Sequence, residues 1–415
     1  MTEATSQPRN LLHNTVIYFS AFGVLAFTIA FADMTVLIPN LTRDLKAPSW
    51  VAMFPSVAAS SVGYLPVVLM GWVLRPGTSK KMAYGLLSVP LYGSLMVLGL
   101  SLCLTRDESI LRNMILLATL VNALFVGTTV LPFWDMLHRS IPESVRGRIM
   151  GSCTSVTMVV GLLAANVVAW LIGSGSPLPW PANYGAGLIL AGLGGYLAVF
   201  LLLLWRQSPA ESAPDEARRS FRRFGHDLLG ILRTDKSYGR FLVAAACIAT
   251  VAGVGTMLLM YAKNERGFTN DHVALLIRIR PVVGFFAMMA FGFLADRIGA
   301  RRVCSINAII LLAAIVMTPF VHGAGQLFPQ LLAGFGGFIY SFVLMEILNY
   351  SPKGRNQDYL SVYYLTAMIP GLVPMGLGRL MDVSASLGLG IACALTVVAA
   401  VLFALPVQNR SAALD

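Results

Sequence analysis

Mostly apolar stretches of about 20 residues recur twelve times along the chain, near 14–39, 50–73, 82–104, 112–135, 149–173, 184–205, 240–262, 273–294, 303–321, 326–348, 358–380 and 386–406. A helix rises about 1.5 Å per residue, so stretches of this length suffice to cross about 30 Å of hydrocarbon. The pattern predicts an all-α integral membrane protein with twelve transmembrane helices. Short polar loops connect them, with one exception at residues 206–239. That long segment divides the helices into a six-helix N-terminal bundle over 1–205 and a six-helix C-terminal bundle over 240–415.

Inside the exception the periodicity changes. The first part, RQSPAESAP, reads as a linker. From Asp215, Arg218, Arg219, Arg222, Arg223 and His226 recur on one helical face, while Phe221, Phe224, Leu228 and Leu229 gather on another. A basic amphipathic helix over about 215–230 follows, a tether resting on anionic lipid of the inner leaflet.

Composition agrees with the periodicity. Of 415 residues, 57% are hydrophobic and 12% charged, which excludes a water-soluble globule. With a cytoplasmic N-terminus, 21 of the 30 Lys and Arg residues fall in inner segments. The outer loops hold six (Arg43, Lys46, Arg106, Arg112, Lys263 and Arg266), and Arg278, Arg280 and Arg379 lie within helices. This asymmetry places both termini inside. The net charge of +11 then reflects topology and lipid, and no nucleic-acid partner is expected because there is no basic soluble domain. The first apolar run is too long for a signal peptide and is expected to be retained. The five cysteines lie in or at the ends of apolar stretches without a CxxC pair, so neither disulfides nor a metal site is expected.

The halves echo each other. FWDMLHRSIPESVRGR (133–148) and LMEILNYSPKGRNQD (344–358) each carry an acid, a proline and an arginine in that order: Asp135, Pro142, Arg146 and Glu346, Pro352, Arg355. A second echo pairs GWVLRPGTSKK (71–81) with GFLADRIGARR (292–302). Matching order in both halves suggests one duplicated unit.

GFLADRIGARR between the eighth and ninth helices, with Gly292, Leu294, Asp296, Arg297, Gly299, Arg301 and Arg302 in place, resembles the loop signature of the major facilitator superfamily of secondary transporters. PMGLGRLMD (374–382) and Arg146-Gly147-Arg148 are weaker echoes. The resemblance implies two pseudo-symmetric bundles and a cytoplasmic gate. In that gate Gly292 lets helices approach closely, and Asp296 faces a helix N-terminus beside Arg146 or Arg148. Arg297, Arg301 and Arg302 hold the loop at the cytoplasmic face. Where the family has an acid in the first half this chain has Arg75, so Arg75 is expected to pair with Asp358. Asp135 and Glu346 are expected in the inner charge cluster.

Within the helices, Asp33 in FADMTVLIP is costly in hydrocarbon unless it meets water, a partner or a proton. An acid here resembles the first-helix motif of proton-coupled members of the family, which makes Asp33 the proton-coupling candidate. Arg278 and Arg280 are two apart, so they point about 200° away from each other and at most one faces a cavity. The family's cavity-lining helices add Asn122, Thr128, Thr256 and Tyr340 as substrate candidates, with Thr28, Thr250 and Ser341. The glycine-rich GAGLILAGLGG (185–195) and GFGG (334–337) read as packing surfaces.

The resulting expectation is a secondary active transporter of a small solute, coupled to protons, with export favoured over import. The fifth helix lacks the Gly-Pro pair of drug–proton antiporters, as GLLAANVVA (161–169) shows. The alternative is a transporter-derived protein that binds a ligand or assembles with partners without cycling, which the degenerate first-half loop favours. No GxxxxGK[ST] loop and no catalytic constellation occurs, so neither an enzyme nor ATP-driven transport is expected. No cofactor is expected. A monomer in a cell membrane, a bacterial inner membrane, completes the expectation.

Overall fold

The protein, seen in a computed structural model, is described at residues 7–73, 80–141, 143–173, 175–206, 221–251, 253–336, 339–350 and 356–405. Among them are helices and short connections, with no strand. Nine helices among the described residues are long and apolar enough to cross a membrane, and Val156–Ile172 is a shorter apolar helix. The chain is an all-α, multi-pass membrane protein. Lipid offers no hydrogen bonds to a backbone, so each span has to satisfy its own N–H and C=O groups, and the helix does so.

Several predicted spans are interrupted, each for a local reason. The first consists of α1, Gln7–Phe31, and α2, Leu37–Asp44. Between them Asp33 Oδ1 accepts the backbone N–H groups of Thr35 and Val36 at 2.7 and 3.0 Å and the Thr35 hydroxyl at 2.6 Å. This is the local competition by which Asp ends a helix. Pro39 then has no N–H to offer the Thr35 carbonyl, which is left open for a partner from elsewhere. The second span comprises α3, Ser49–Val57, a π-helical turn at Ala58–Val62, and α4, Tyr64–Val73.

The remaining helices of the first part are α5, Lys80–Leu104, α6, Glu108–Ser140, α7, Glu143–Ile172, and α8, Ala182–Leu203. The amphipathic segment forms α9, Phe221–Thr234, and residues 215–220 of the predicted helix lie outside the described ones. Leu228 and Ile231 of α9 are buried against α10 and α16, while Arg222, Arg223, His226 and Arg233 face outward. Leu229, expected on the apolar face, is exposed instead, because it sits about 100° around the helix from Leu228.

The rest of the chain forms α10, Lys236–Thr250, α11, Val254–Glu265, α12, Asn270–Ile298, and α13, Ala300–Met317. It continues through α14, Leu327–Gly336, α15, Ile339–Tyr350, α16, Asn356–Met368, α17, Val373–Val383, and α18, Ala385–Ala404.

Buried apolar side chains form two clusters. One is drawn chiefly from α1 to α3 and α5 to α8, the other chiefly from α9 to α18 with Met53 of α3 and Tyr64 of α4. The division is not strictly by sequence: Leu259, Met260 and Ala262 of α11, Phe268, and Val273, Ala274, Leu276 and Ile277 at the start of α12 belong to the first cluster. Across the boundary α3 faces α17, α4 faces α16, and α7 faces α12.

The glycine-rich stretch of α8 is a packing surface, as its composition suggests. A Cβ on Gly185 would stand 2.6 Å from the Gly99 carbonyl of α5, and one on Gly99 would stand 2.7 Å from the Gly185 carbonyl. Only hydrogen fits at either position. Gly99→Val is therefore expected to destabilise the protein by at least about 1–3 kcal/mol, seen as a lower melting temperature of the detergent-purified chain. Gly161→Ala, where a Cβ meets nothing within 4 Å, should leave that temperature unchanged or raise it slightly. Equal behaviour of the two variants would contradict the packing account.

Candidate functional site

The carboxylate that breaks the first helix also faces the second cluster. While Oδ1 of Asp33 caps the break, Oδ2 accepts Arg280 Nη1 of α12 at 3.1 Å, and the same nitrogen donates to the Thr35 hydroxyl at 2.9 Å. Side-chain exposure is 25% for Asp33 and 36% for Arg280, so the pair is only partly shielded. The Arg280 side chain passes over Gly334 of α14, where a Cβ would come 3.7 Å from its Nε. The Thr35 carbonyl left open by Pro39 accepts the Thr256 hydroxyl of α11 at 2.9 Å. Arg278, on the other side of α12, is exposed. Of the two helix-borne arginines one turns inward, as their spacing requires.

A second set of contacts closes the same end of the molecule. Lys263 Nζ donates to Asn40 Oδ1 at 2.6 Å, Asp44 Oδ1 at 2.8 Å and Asn270 Oδ1 at 2.9 Å. All three ammonium protons are used. Asn270 also donates to Asp44 Oδ2 at 3.3 Å, and Asn40 donates to the Tyr184 hydroxyl at 2.6 Å. With side-chain exposures of 11% and 18%, Lys263 and Asp44 form a largely buried pair joining α11 to α2. Nearby, the Asp382 carboxylate at the end of α17 accepts the Ser49 N–H at the start of α3, at 3.1 and 3.3 Å, where a helix N-terminus favours an anion.

None of these rim residues except Asp33, Arg280 and Thr256 is prominent in the sequence. Lys263 counts there as one more loop charge, and Asp44 has no motif around it. The available signal was an outer loop lysine following an apolar span, which does not identify a partner more than 200 positions away.

At the opposite end the expected gate is only partly described. The side chains of Asp296, Arg146, Arg148 and Asp135, and Arg75 and Arg355 as a whole, lie outside the described residues. Asp358 is buried in the first turn of α16, and Glu346 is buried on α15 close enough to Cys304 and Tyr350 to interact electrostatically. Arg297 and the side chain of Arg302 are exposed or nearly so. Among the described residues a Cβ on Gly292 would meet nothing within 4 Å, and the side chains at 143–148 of α7, the helix it is expected to approach, lie outside them. Arg301 does more than anchor a loop: it donates to the Leu402 and Phe403 carbonyls, both at 3.0 Å, and to the Tyr350 hydroxyl at 2.8 Å. It thereby caps the last open carbonyls of α18, the end of a helix that favours a cation.

The polar candidates inside the helices divide in two. The Asn122 amide of α6 donates across to the Leu91 carbonyl of α5 at 3.2 Å, and the Thr128 hydroxyl donates to the Phe125 carbonyl at 2.9 Å, the local backbone bonding common for hydroxyls in apolar helices. Thr28 and Tyr340 differ: both hydroxyls are buried with no hydrogen-bond partner among the described residues, that of Thr28 against Gly194 of α8. Among the described residues no three His, Cys, Asp or Glu side chains come together as metal ligands.

With the geometry in hand, comparison with known proteins adds the family. A family model described as Major Facilitator Superfamily matches residues 92–375, more than half of the chain. No curated protein sequence matches. Among solved structures, a D-xylose-proton symporter is similar, with TM-score 0.69 and 14% identity over 95% of this chain and 98% of that one. The nucleoside transporter NupG gives TM-score 0.64 and 13% identity over 96% and 100%. The transporter FucP in its outward conformation gives 0.60 and 14% over 96% and 100%. At such identities the likeness establishes the fold.

Removing one member of a buried ion pair costs about 3–5 kcal/mol at full burial, and less at a rim that water can enter. Lys263→Met is therefore expected to loosen this end. In a cysteine-free background, Met260→Cys, buried on α11, should react with a membrane-impermeant thiol reagent about tenfold faster when Lys263→Met is added, the equivalent of about 1.4 kcal/mol. Lys263→Arg should stay slow. An unchanged rate in the Met variant would show that the pair does not hold the rim.

Proposed function

The chain belongs to the major facilitator superfamily, and on that footing we propose that it is a secondary active transporter. It would move a small solute by alternating access between bundles 1–205 and 240–415 and couple the movement to protons through Asp33. The observation that supports this reading best is the Asp33–Arg280 pair, because it joins the first helix to α12 with a group able to take up a proton. In this reading the rim closed by Lys263, Asp44 and Asn270 is the outer one, consistent with termini placed in the cytoplasm by the distribution of Lys and Arg.

The chemistry is simple. A proton that adds to Asp33 Oδ2 occupies the lone pair that Arg280 uses and removes the negative charge opposite the guanidinium. Arg280 is then left with the Thr35 hydroxyl and no counter-charge, a state favoured only where water can reach it. Opening of the outer rim supplies that water. Release of the proton restores the carboxylate, and the pair closes again. At the inner end the corresponding gate would use Asp296 with Arg146 or Arg148, and Arg75 with Asp358. The basic helix α9 would rest on anionic lipid beside it.

Proteoliposomes containing the full chain and a pH-sensitive dye test the proposal. Wild type is expected to couple flux of some member of a solute panel to proton movement, and Asp33→Asn to lose that coupling by at least about tenfold, of the order of general acid–base effects. Coupled flux that survives in Asp33→Asn would sink the assignment. Solute binding with no flux in wild type would favour the alternative of a ligand-binding protein that does not cycle.

A further inference from the structure

Four tyrosines meet between α4, α15 and α16, all of them in the second apolar cluster or packed against it. Tyr64 is the first residue of α4, directly after the π-helical turn and Gly63. Its ring lies 4.9 Å from Tyr364 and 6.3 Å from Tyr363 between centroids, and Tyr363 and Tyr364 are 5.3 Å apart. The Tyr64, Tyr340 and Tyr363 hydroxyls lie close enough to one another to interact electrostatically. Beside them the Ser61 hydroxyl donates to the Met368 carbonyl, so both backbones are irregular at this depth.

A packing seam in hydrocarbon does not need hydroxyls. Leu or Phe would fill the same space without a buried polar atom. Tyr340 keeps its hydroxyl buried and unpartnered among the described residues, and such an atom is destabilising unless a partner arrives in another state. Irregular backbone at membrane depth is likewise found where it is enclosed by protein or lines a water-filled site. The cluster also lacks charge. Among the described residues, the titratable groups acting on Tyr64, Tyr340 and Tyr363 are other tyrosines of the set. The intramembrane charges Asp33 and Arg280 are spent on each other.

We propose that Tyr64, Tyr340, Tyr363 and Tyr364 form the solute-recognition subsite, and that the solute is an uncharged ring compound bearing hydroxyl or amide groups. The π faces stack on a flat or C–H-rich ring face. The Tyr340 hydroxyl bonds a solute oxygen or nitrogen, and parting of α4 from α16 admits the ring. A charged solute would lose its hydration without finding a counter-charge here. This assignment rests on the transport reading, but it concerns which solutes bind rather than whether they cross.

The test uses the purified full chain and two matched series of probes at millimolar concentration: glucose, glucuronate and glucosamine, and uridine with uridine monophosphate. Binding is read from the shift in melting temperature. A neutral member of at least one series is expected to raise it, and the charged members of that series are not. Tyr340→Phe should weaken the neutral probe about tenfold, the size of one lost hydrogen bond, with the melting temperature of the unliganded protein unchanged or raised. Tyr64→Phe, which keeps the π face, should weaken binding less than Tyr64→Leu.

No shift by either neutral ring overturns the proposal. So does tight binding of the charged members, or neutral binding that Tyr340→Phe leaves intact. Flux measured in parallel separates the two readings. Neutral rings that bind without crossing would remove the transport reading and leave the subsite. An Asp33-dependent flux of a charged solute, with no neutral binding, would do the reverse.

Discussion

Hydrocarbon supplies neither hydrogen bonds nor screening, so every charge and every open backbone group in the spans has to be met by another part of the chain. The break in the first helix shows how far that constraint reaches. Asp33 interrupts the helix with one carboxylate oxygen and so must neutralise the other, which Arg280 does. Pro39 leaves the Thr35 carbonyl open, and Thr256 closes it. One local irregularity thereby specifies two contacts with helices more than 200 residues away. The same irregularity gives the protein a titratable group at a junction between its two apolar clusters.

Two kinds of force close the rim, and they do different jobs. The apolar side chains that α11 and the start of α12 contribute to the first cluster supply a large, non-directional attraction, of about 1.5–3 kcal/mol for each fully buried Leu, Ile or Phe. Apolar contact alone would hold the closed state without fixing its register. Lys263 fixes it, because three donors meet three named oxygens in one arrangement. Because these contacts are directional and ionic, they set the register of the rim rather than supply most of the attraction that holds it.

Residue types that look alike in the sequence serve different ends. Gly99 and Gly185 are packed against each other's carbonyls, whereas a Cβ on Gly292, in the stretch that matches the family signature, would meet nothing within 4 Å among the described residues. Arg301 caps a helix end, Arg280 neutralises a carboxylate, and Arg278 faces outward. Asn122 and Thr128 satisfy backbone carbonyls, whereas the Tyr340 hydroxyl has no such partner among the described residues. In each case the distinction lies in what another helix presents at that height.

The order of apolar stretches was enough to establish an all-α membrane protein, because span length and hydropathy are properties of consecutive residues. The glycine-rich packing face of α8 and the opposed directions of Arg278 and Arg280 were equally legible, since helical periodicity decides them locally. That Asp33 would need a partner was legible too, from the cost of a charge in an apolar run. Which partner was not. The pairing of Lys263 with Asp44, of Asp382 with the start of α3, and of Arg301 with the end of α18 joins residues separated by 100 to more than 330 positions. No spacing rule encodes such meetings; the relative height and rotation of packed helices bring them about, and those are set by the whole fold at once.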